Sequence, residues 1–75
     1  MPRLAPISPK KLVRILERLG YVFVRQRGSH MFFRHSSSGL TVTVPFHGSE
    51  EIGTGLLKKI LSDIELSVEE FNSLR

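Results

Sequence analysis

Histidine and arginine are the residues of this sequence best suited to chemistry, and they concentrate in one short stretch. The segment VRQRGSHMFFRH, residues 24–35, holds three arginines and two of the three histidines around a single glycine. A neutral imidazole accepts and returns a proton near neutral pH, and guanidinium groups bind phosphate and balance the charge that develops on it. RNA carries its own nucleophile, the 2′-OH. These groups therefore suffice for cleavage of an RNA phosphodiester without a metal ion.

The three histidines differ in how well their positions suit such a reaction. His30 is the natural candidate for the proton carrier, because it follows a glycine turn at the start of a predicted strand. His47 follows Pro45 in a predicted loop and is the second candidate, while His35 borders the SSSG turn and looks like a strand-end residue. A single histidine at a strand start is more often structural than catalytic, so residue types alone leave this choice open.

Other kinds of site find little support in the sequence. Cysteine is absent, and no two histidines stand four residues apart as they would in a helical metal site. The GTG string at residues 53–55 lacks the spacing of a phosphate-binding loop and is interpreted as a helix start. Ser29 has no triad partners at fixed spacing, so its hydroxyl is expected to make a turn hydrogen bond. The sequence therefore predicts neither a metal site nor a cofactor.

Length and charge limit the class of protein. A chain of 75 residues is expected to form one domain, residues 1–75, with a small core. No apolar run approaches the roughly 20 residues that span a bilayer, and no signal segment is evident, so we expect a cytoplasmic protein without a membrane partner. Residues 1–35 carry eight basic side chains against one acidic, whereas residues 36–75 carry three against six. The basic half would attract phosphate groups, although an ordinary solvated face explains the same charge.

The sequence predicts a helix followed by three strands, which would position these residues. Ser8 is the predicted N-cap, Pro9 the first helical residue and Gly20 the left-handed residue that ends the helix. Residues 21–26 and the SHMFFRH segment are rich in β-branched and aromatic residues around a glycine turn, which predicts a hairpin. SSSG at residues 36–39 is a second turn, and LTVTV at residues 40–44 alternates as a strand that Pro45 ends.

Alternation places the residues of the second strand on two faces. His30, Phe32 and Arg34 share one face, and Ser29, Met31, Phe33 and His35 share the other. Both faces include apolar residues, so the pattern leaves open which one packs against the helices. Phe32 and Phe33 are aromatic and could stack on nucleobases, but packing in the core is the stronger expectation for both.

Two further helices are predicted after a loop at residues 45–53. Thr54 is the predicted cap of the first, and its apolar stripe consists of Leu56, Leu57, Ile60, Leu61 and Ile64. Ser67 and Glu70 have the spacing of a capping box, which predicts a short C-terminal helix. The expected fold is α+β, with helices on one face of a three-stranded antiparallel sheet and the other face free.

In this order and spacing, the motifs resemble the HicA family of small toxins, the mRNA interferases of type II toxin–antitoxin systems. The resemblance covers residues 6–71 and rests on SPKKLVRILERLGY, VRQRGSH, TVTVPFHG, GTGLLKKIL and LSVEEF. It implies a fold like the double-stranded RNA-binding domain and a metal-independent endoribonuclease acting on messenger RNA. It also implies that the histidine of the Gly-Ser-His string, His30, is the catalytic residue. Many members have a second histidine where this chain has Met31, so a mechanism with two adjacent imidazoles is not expected.

The resemblance further implies a HicB antitoxin that covers the active histidine, with RNA as the other partner. The side chains that we expect to contact the RNA are Arg25, Arg27, Ser29, Lys58 and Lys59. The string around His47 belongs to the family pattern, and its role is left unassigned. The main alternative is a non-catalytic RNA-binding module on the same fold, which would bind RNA in a salt-sensitive manner without cleaving it. A degenerate toxin that survives only as an antitoxin's partner is a third interpretation.

Overall fold

The computed structural model describes residues 2–75, which form three helices and three strands. Helix α1 spans Pro9–Arg18, strands β1, β2 and β3 span Tyr21–Arg27, His30–His35 and Thr41–Pro45, and helices α2 and α3 span Thr54–Asp63 and Val68–Leu74. The strands form one antiparallel sheet in the order β1-β2-β3. The predicted α+β arrangement is thereby confirmed. No helix within residues 2–75 has both the length and the apolar character needed to cross a membrane.

The ends of α1 follow the predicted signals. The Ser8 hydroxyl accepts a hydrogen bond from the Lys11 backbone N–H at 3.3 Å, and Pro9 occupies the first helical position. Beyond the C-cap, Gly20 has a φ of +100°. A Cβ at this position would lie 3.0 Å from Nε2 of His35. Both the backbone conformation and the lack of space therefore require glycine here.

The starts of α2 and α3 give one correction and one confirmation. The prediction of Thr54 as N-cap is wrong, because the Leu57 N–H already donates to the Gly53 carbonyl and the helix begins one residue earlier. At α3 the capping box is present, since the Ser67 N–H donates to the Glu70 carboxylate and the Ser67 hydroxyl accepts from the Glu70 N–H. The pKa of Glu70 is lowered, first by the hydrogen bond from the Ser67 backbone and second by the hydrogen bond with the Ser67 side chain. Both favour the charged form of the carboxylate.

The structure decides which face of β2 packs against the helices. Phe33 is 1% exposed, and it shares its face with the partly buried Met31 and His35. Core packing is therefore confirmed for Phe33. The same expectation is wrong for Phe32, which lies half-buried on the opposite face with the Arg25 guanidinium 4.9 Å from its ring centroid. Alternation separates the two phenylalanines, so that only one can reach the core.

The core lies between the sheet and the helices and is apolar throughout. Within residues 2–75, no polar or charged side chain is buried. Each of the six elements contributes buried residues, and a bridge between Ile7 and Ile52 ties the N-terminal segment to the loop before α2. The charged side chains within residues 2–75 are consequently all at least partly exposed at the surface. The core is formed by a different set of residues, which are apolar.

A bulge in β1 determines where its arginines lie. Phe23 pairs with Phe33 on the helix face, and the register then shifts so that Val24 is an extra residue before Arg25. One extra residue in a strand transfers every following side chain to the opposite face. Arg25 and Arg27 therefore lie on the open face of the sheet, away from the helices. If Val24 instead paired as a regular strand residue, both arginines would face the helices with Phe23.

His35 has a structural environment. Its Nε2 lies 2.8 Å from the Leu19 carbonyl oxygen, and its Nδ1 lies 3.3 Å and 3.1 Å from the backbone nitrogens of Ser37 and Ser38. The ring also packs edge-on against Tyr21, with centroids 4.9 Å apart. Because the two N–H groups must donate to Nδ1, the ring hydrogen is on Nε2 and donates to the carbonyl. The ring thus links the end of α1 to the turn after β2.

Replacing His35 with phenylalanine should lower the free energy of unfolding by about 1–2 kcal/mol. The new ring keeps most of the volume but loses the hydrogen bonds to Leu19 and Ser38. Urea unfolding followed by circular dichroism measures the effect. Arg34→Ala is the matched control, because Arg34 is adjacent and exposed on the open face, and it should change stability by less than about 0.5 kcal/mol. Equal stability of His35→Phe and the wild type would contradict this assignment.

Candidate active site

The candidate site lies at one end of the open sheet face, where a two-residue loop leads into β2. Gly28 begins this loop with a φ of +59°, and glycine in the first position is typical of a type II′ hairpin turn. The Gln26 side-chain amide donates to the Gly28 carbonyl at 2.9 Å. The Phe46 N–H donates to the Ser29 carbonyl at 2.6 Å. Hydrogen bonds from both sides therefore hold the loop that precedes His30.

His30 emerges on the open face between two paired neighbours. It is exposed, and it lies opposite Arg27 of β1 and Pro45 of β3. Residues paired in this way have Cβ atoms about 4.5–5.5 Å apart, so the side chain of Arg27 starts beside the imidazole. Arg25 follows on the same face and lies over the ring of Phe32. The bulge therefore brings two guanidinium groups to the same surface as one imidazole.

His47 enters the site from the loop after β3. The centroids of its ring and that of His30 are 6.4 Å apart, and the ring planes cross at 80°. Its Nε2 lies 3.4 Å from the Ser29 hydroxyl oxygen. The Glu50 N–H donates to the His47 carbonyl at 3.0 Å, and Gly48 has a φ of +59°, so a tight turn orients this residue. The structure thus brings two histidines together that are far apart in the sequence.

The two predicted lysine contacts lie on different sides of α2. Lys59 lines a cleft of about 200 Å³ formed by residues of α2, β2 and β3, together with His30, Thr43 and Pro45. Its Nζ is 3.3 Å from the Asp63 carboxylate, and both side chains are exposed. Lys58 lines a separate hollow with residues of the N-terminal segment and α3. The structure therefore brings Lys59 to His30 and leaves Lys58 elsewhere.

Five of the six residues named from the sequence as site residues gather around one end of the sheet. They are Arg25, Arg27, Ser29, His30 and Lys59. The arrangement offers cationic groups for an anion and an exposed imidazole for proton transfer. Within residues 2–75, the structure shows no group of three or more His, Asp or Glu side chains placed to hold a metal ion. The roles of the individual residues remain predictions.

Comparison with known proteins identifies the family. No curated protein matches the chain. A family model described as "HicA toxin of bacterial toxin-antitoxin" matches residues 9–66, from the start of α1 to just beyond α2. This span is most of the chain and includes the sheet, His30 and His47. A toxin of this kind is one half of a pair, so the match also implies an antitoxin as partner. The chain belongs to the HicA family of toxins from bacterial toxin–antitoxin systems.

Proposed function

We propose that this toxin is an endoribonuclease that cleaves messenger RNA, with His30 as catalytic residue and no requirement for a metal ion. The observation that carries the proposal is the position of the exposed His30 imidazole beside Arg27 on the open face, with Arg25 further along the same strand. An imidazole can take a proton from the ribose 2′-OH at neutral pH, and arginines hold the adjacent phosphate.

The proposed reaction is an attack within the RNA itself. As the 2′-OH gives up its proton to an imidazole nitrogen, the O2′–P bond forms and the P–O5′ bond breaks. A general acid gives a proton to the 5′-oxygen as it leaves, so the products are a 2′,3′-cyclic phosphate and a 5′-OH end. The nucleophile belongs to the substrate, and no water is consumed. Arg27, next to His30, stabilises the charge that grows on the non-bridging oxygens.

RNA binding is assigned to the cationic groups around His30. Arg25 and Arg27 share the open face, and Lys59 lines the cleft that His30 borders. The contact with Phe32 holds the Arg25 guanidinium over the sheet, which lowers the entropy lost when it binds a phosphate. Ser29 contributes through its hydroxyl near His47. Lys58 lies in another hollow, so we propose only a contact with RNA outside the cleavage position.

We further propose that the antitoxin is of the HicB type, that the pair is a type II system, and that it acts in the cytoplasm. His30 and His47 are both exposed, so a protein seated over this end of the sheet would exclude RNA from both. The arginines of the open face favour an acidic surface on that partner. Inhibition would therefore arise from competition for the same surface that binds phosphate.

Purified protein should cleave a messenger transcript in excess EDTA. Analysis of the fragment ends should show 2′,3′-cyclic phosphate and 5′-OH groups, because the 2′-oxygen is the nucleophile. A transcript with 2′-deoxy residues at the cleavage positions is the control and should be resistant there. Loss of activity in EDTA would contradict the metal-independent reaction. Salt-sensitive binding without any product would instead identify a non-catalytic RNA-binding module.

A further inference from the structure

We propose that His47 is a second catalytic residue, which forms an acid–base pair with His30. In each turnover, one imidazole takes the proton from the 2′-OH and the other gives a proton to the departing 5′-oxygen. The inference rests on the proposed ribonuclease function and extends it, because the family resemblance implies a single catalytic histidine. It comes from the geometry around the Gly28–Ser29 loop, which places the two rings side by side.

The spacing of the rings suits a shared phosphate. Centroids 6.4 Å apart are too distant for a direct hydrogen bond between the imidazoles. A nucleotide seated between them can place its 2′-OH about 2.8 Å from one ring, as donor, and its 5′-oxygen about 2.8 Å from the other, as acceptor. The 80° angle between the ring planes lets the rings approach such a group from different directions. Displacement at phosphorus requires this arrangement, because the attacking and leaving oxygens lie on opposite sides of the phosphorus.

His47 is held in place by contacts that a free surface loop would not need. The Ser29 hydroxyl lies 3.4 Å from its Nε2, and the Phe46 N–H, one residue before it, donates to the Ser29 carbonyl at 2.6 Å. On its other side, the turn closed by the Glu50 N–H fixes its carbonyl. The backbone that carries His30 and the backbone that carries His47 are thus joined directly. Such preorganisation favours proton transfer between each of the two rings and an oxygen of the bound RNA.

Each turnover adds one proton to one ring and removes one proton from the other. One imidazole begins neutral and ends protonated, and the other begins protonated and ends neutral. The O2′–P bond forms as the P–O5′ bond breaks, and no group other than the two rings and the RNA exchanges a proton. Solvent then restores the starting states after the products leave. The surrounding charges are Arg27 on β1, Lys59 and Asp63 on α2, and Glu50 in the His47 loop.

The decisive experiment uses a leaving group that needs no acid. Single-turnover cleavage is measured for the wild type, His30→Ala, His47→Ala and His47→Gln on an RNA oligonucleotide and on its analogue with sulfur in place of the bridging 5′-oxygen. A thiol has a pKa of about 8.5 and departs as the anion. We expect both alanine variants to lose about 100-fold or more on the normal substrate. The sulfur analogue should restore the rate of one variant and not of the other, which identifies the acid.

The glutamine variant separates catalysis from a structural role. Glutamine can still form a hydrogen bond with the Ser29 hydroxyl, but its amide does not take up or release a proton near neutral pH. The His47→Gln variant should therefore be as inactive as His47→Ala. Ser49→Ala, in the same exposed loop, is the matched control and should retain wild-type rates. Circular dichroism checks that each variant is folded.

Three results would overturn the pair. They are activity of His47→Ala or His47→Gln within about threefold of the wild type, rescue of both alanine variants by the sulfur analogue, and rescue of neither. The proposed function fails separately, if the wild type itself cleaves no RNA. A wild type that cleaves and a His30→Ala variant that does not, together with a fully active His47→Ala, would leave the ribonuclease intact and remove only the second histidine.

Discussion

The His30→Ala protein should cleave a messenger transcript about 100-fold to 10,000-fold more slowly than the wild type, and its induced expression should no longer arrest growth. The imidazole is the proposed proton carrier, and its removal leaves the reaction without a positioned group for one of its proton transfers. Because His30 is exposed and lies outside the core, the variant should melt within about 2 °C of the wild type. Gel analysis of a labelled transcript and growth curves measure the two effects.

Arg27→Gln provides the contrast that separates chemistry from binding. Arg27 lies opposite His30 and is proposed to contact phosphate, so this variant should bind RNA more weakly and with a salt slope shallower by about 0.7. His30→Ala should keep the wild-type slope, because it removes no permanent charge. Equal cleavage by His30→Ala and the wild type would assign the activity to another group and end the proposal for His30.

The Phe33→Ala protein should lose about 3–5 kcal/mol of stability, the largest structural effect that we expect from a single change in the sheet. Phe33 is 1% exposed and packs against Phe23, with ring centroids 5.8 Å apart. Its truncation leaves a cavity at the centre of a small core. Because the core of a domain of this size rarely supplies more than about 3–5 kcal/mol of stability, much of the protein should be unfolded at 37 °C. Urea unfolding followed by circular dichroism gives the magnitude.

Phe32→Ala is the matched control for this loss. Phe32 is adjacent in sequence but half-buried on the open face, where its ring supports the Arg25 guanidinium. Its truncation should cost about 1 kcal/mol, together with a modest loss of RNA affinity. Similar destabilisation by the two substitutions would mean that the faces of β2 are not divided in the way described. Loss of toxicity in Phe33→Ala, unlike that in His30→Ala, should accompany loss of the folded protein.

The order of elements was readable from local signals that each have a physical cause. Ser8, Pro9 and Gly20 mark the ends of α1, and the Ser67–Glu70 capping box marks the start of α3, because these residues satisfy or spare backbone groups at helix ends. The sequence did not predict which side of β2 packs against the helices, because apolar residues occur on both sides. In the structure, Phe33 lies in the core and Met31 packs against it. This depends on contacts with the helices, which the strand sequence alone does not show.

The bulge was not marked by a residue type in the sequence. Bulges are often marked by glycine, but the extra residue here is Val24, which is a strong strand former in its own right. Alternation from Tyr21 would place Arg25 and Arg27 on the helix face, where their charge would be costly to bury. That conflict between periodicity and charge was the one available hint that the register changes between Phe23 and Arg25.

The proximity of His47 to His30 could have been derived from hairpin register. A four-residue turn at residues 36–39 pairs His35 with Leu40 through the bond from the His35 N–H to the Leu40 carbonyl. Counting outward from that pair sets His30 opposite Pro45, which is the observed register. His47 then follows two residues later, beside the turn that precedes His30. What counting could not supply is the contact between Ser29 and the His47 ring, because side-chain direction in a loop depends on its turn.

The single extra residue in β1 makes the pairing of the strand as important as the identity of its residues. If Val24 paired as a regular strand residue, every later side chain of the strand would change faces, whereas deletion of Val24 would leave a regular ladder with Arg25 still opposite Phe32. The residues before Val24 include the buried Tyr21, and those after it place two arginines on the open face, with the extra residue between the two parts. Relatives of this toxin that are one residue shorter at this point would present both arginines on the same face through a regular strand.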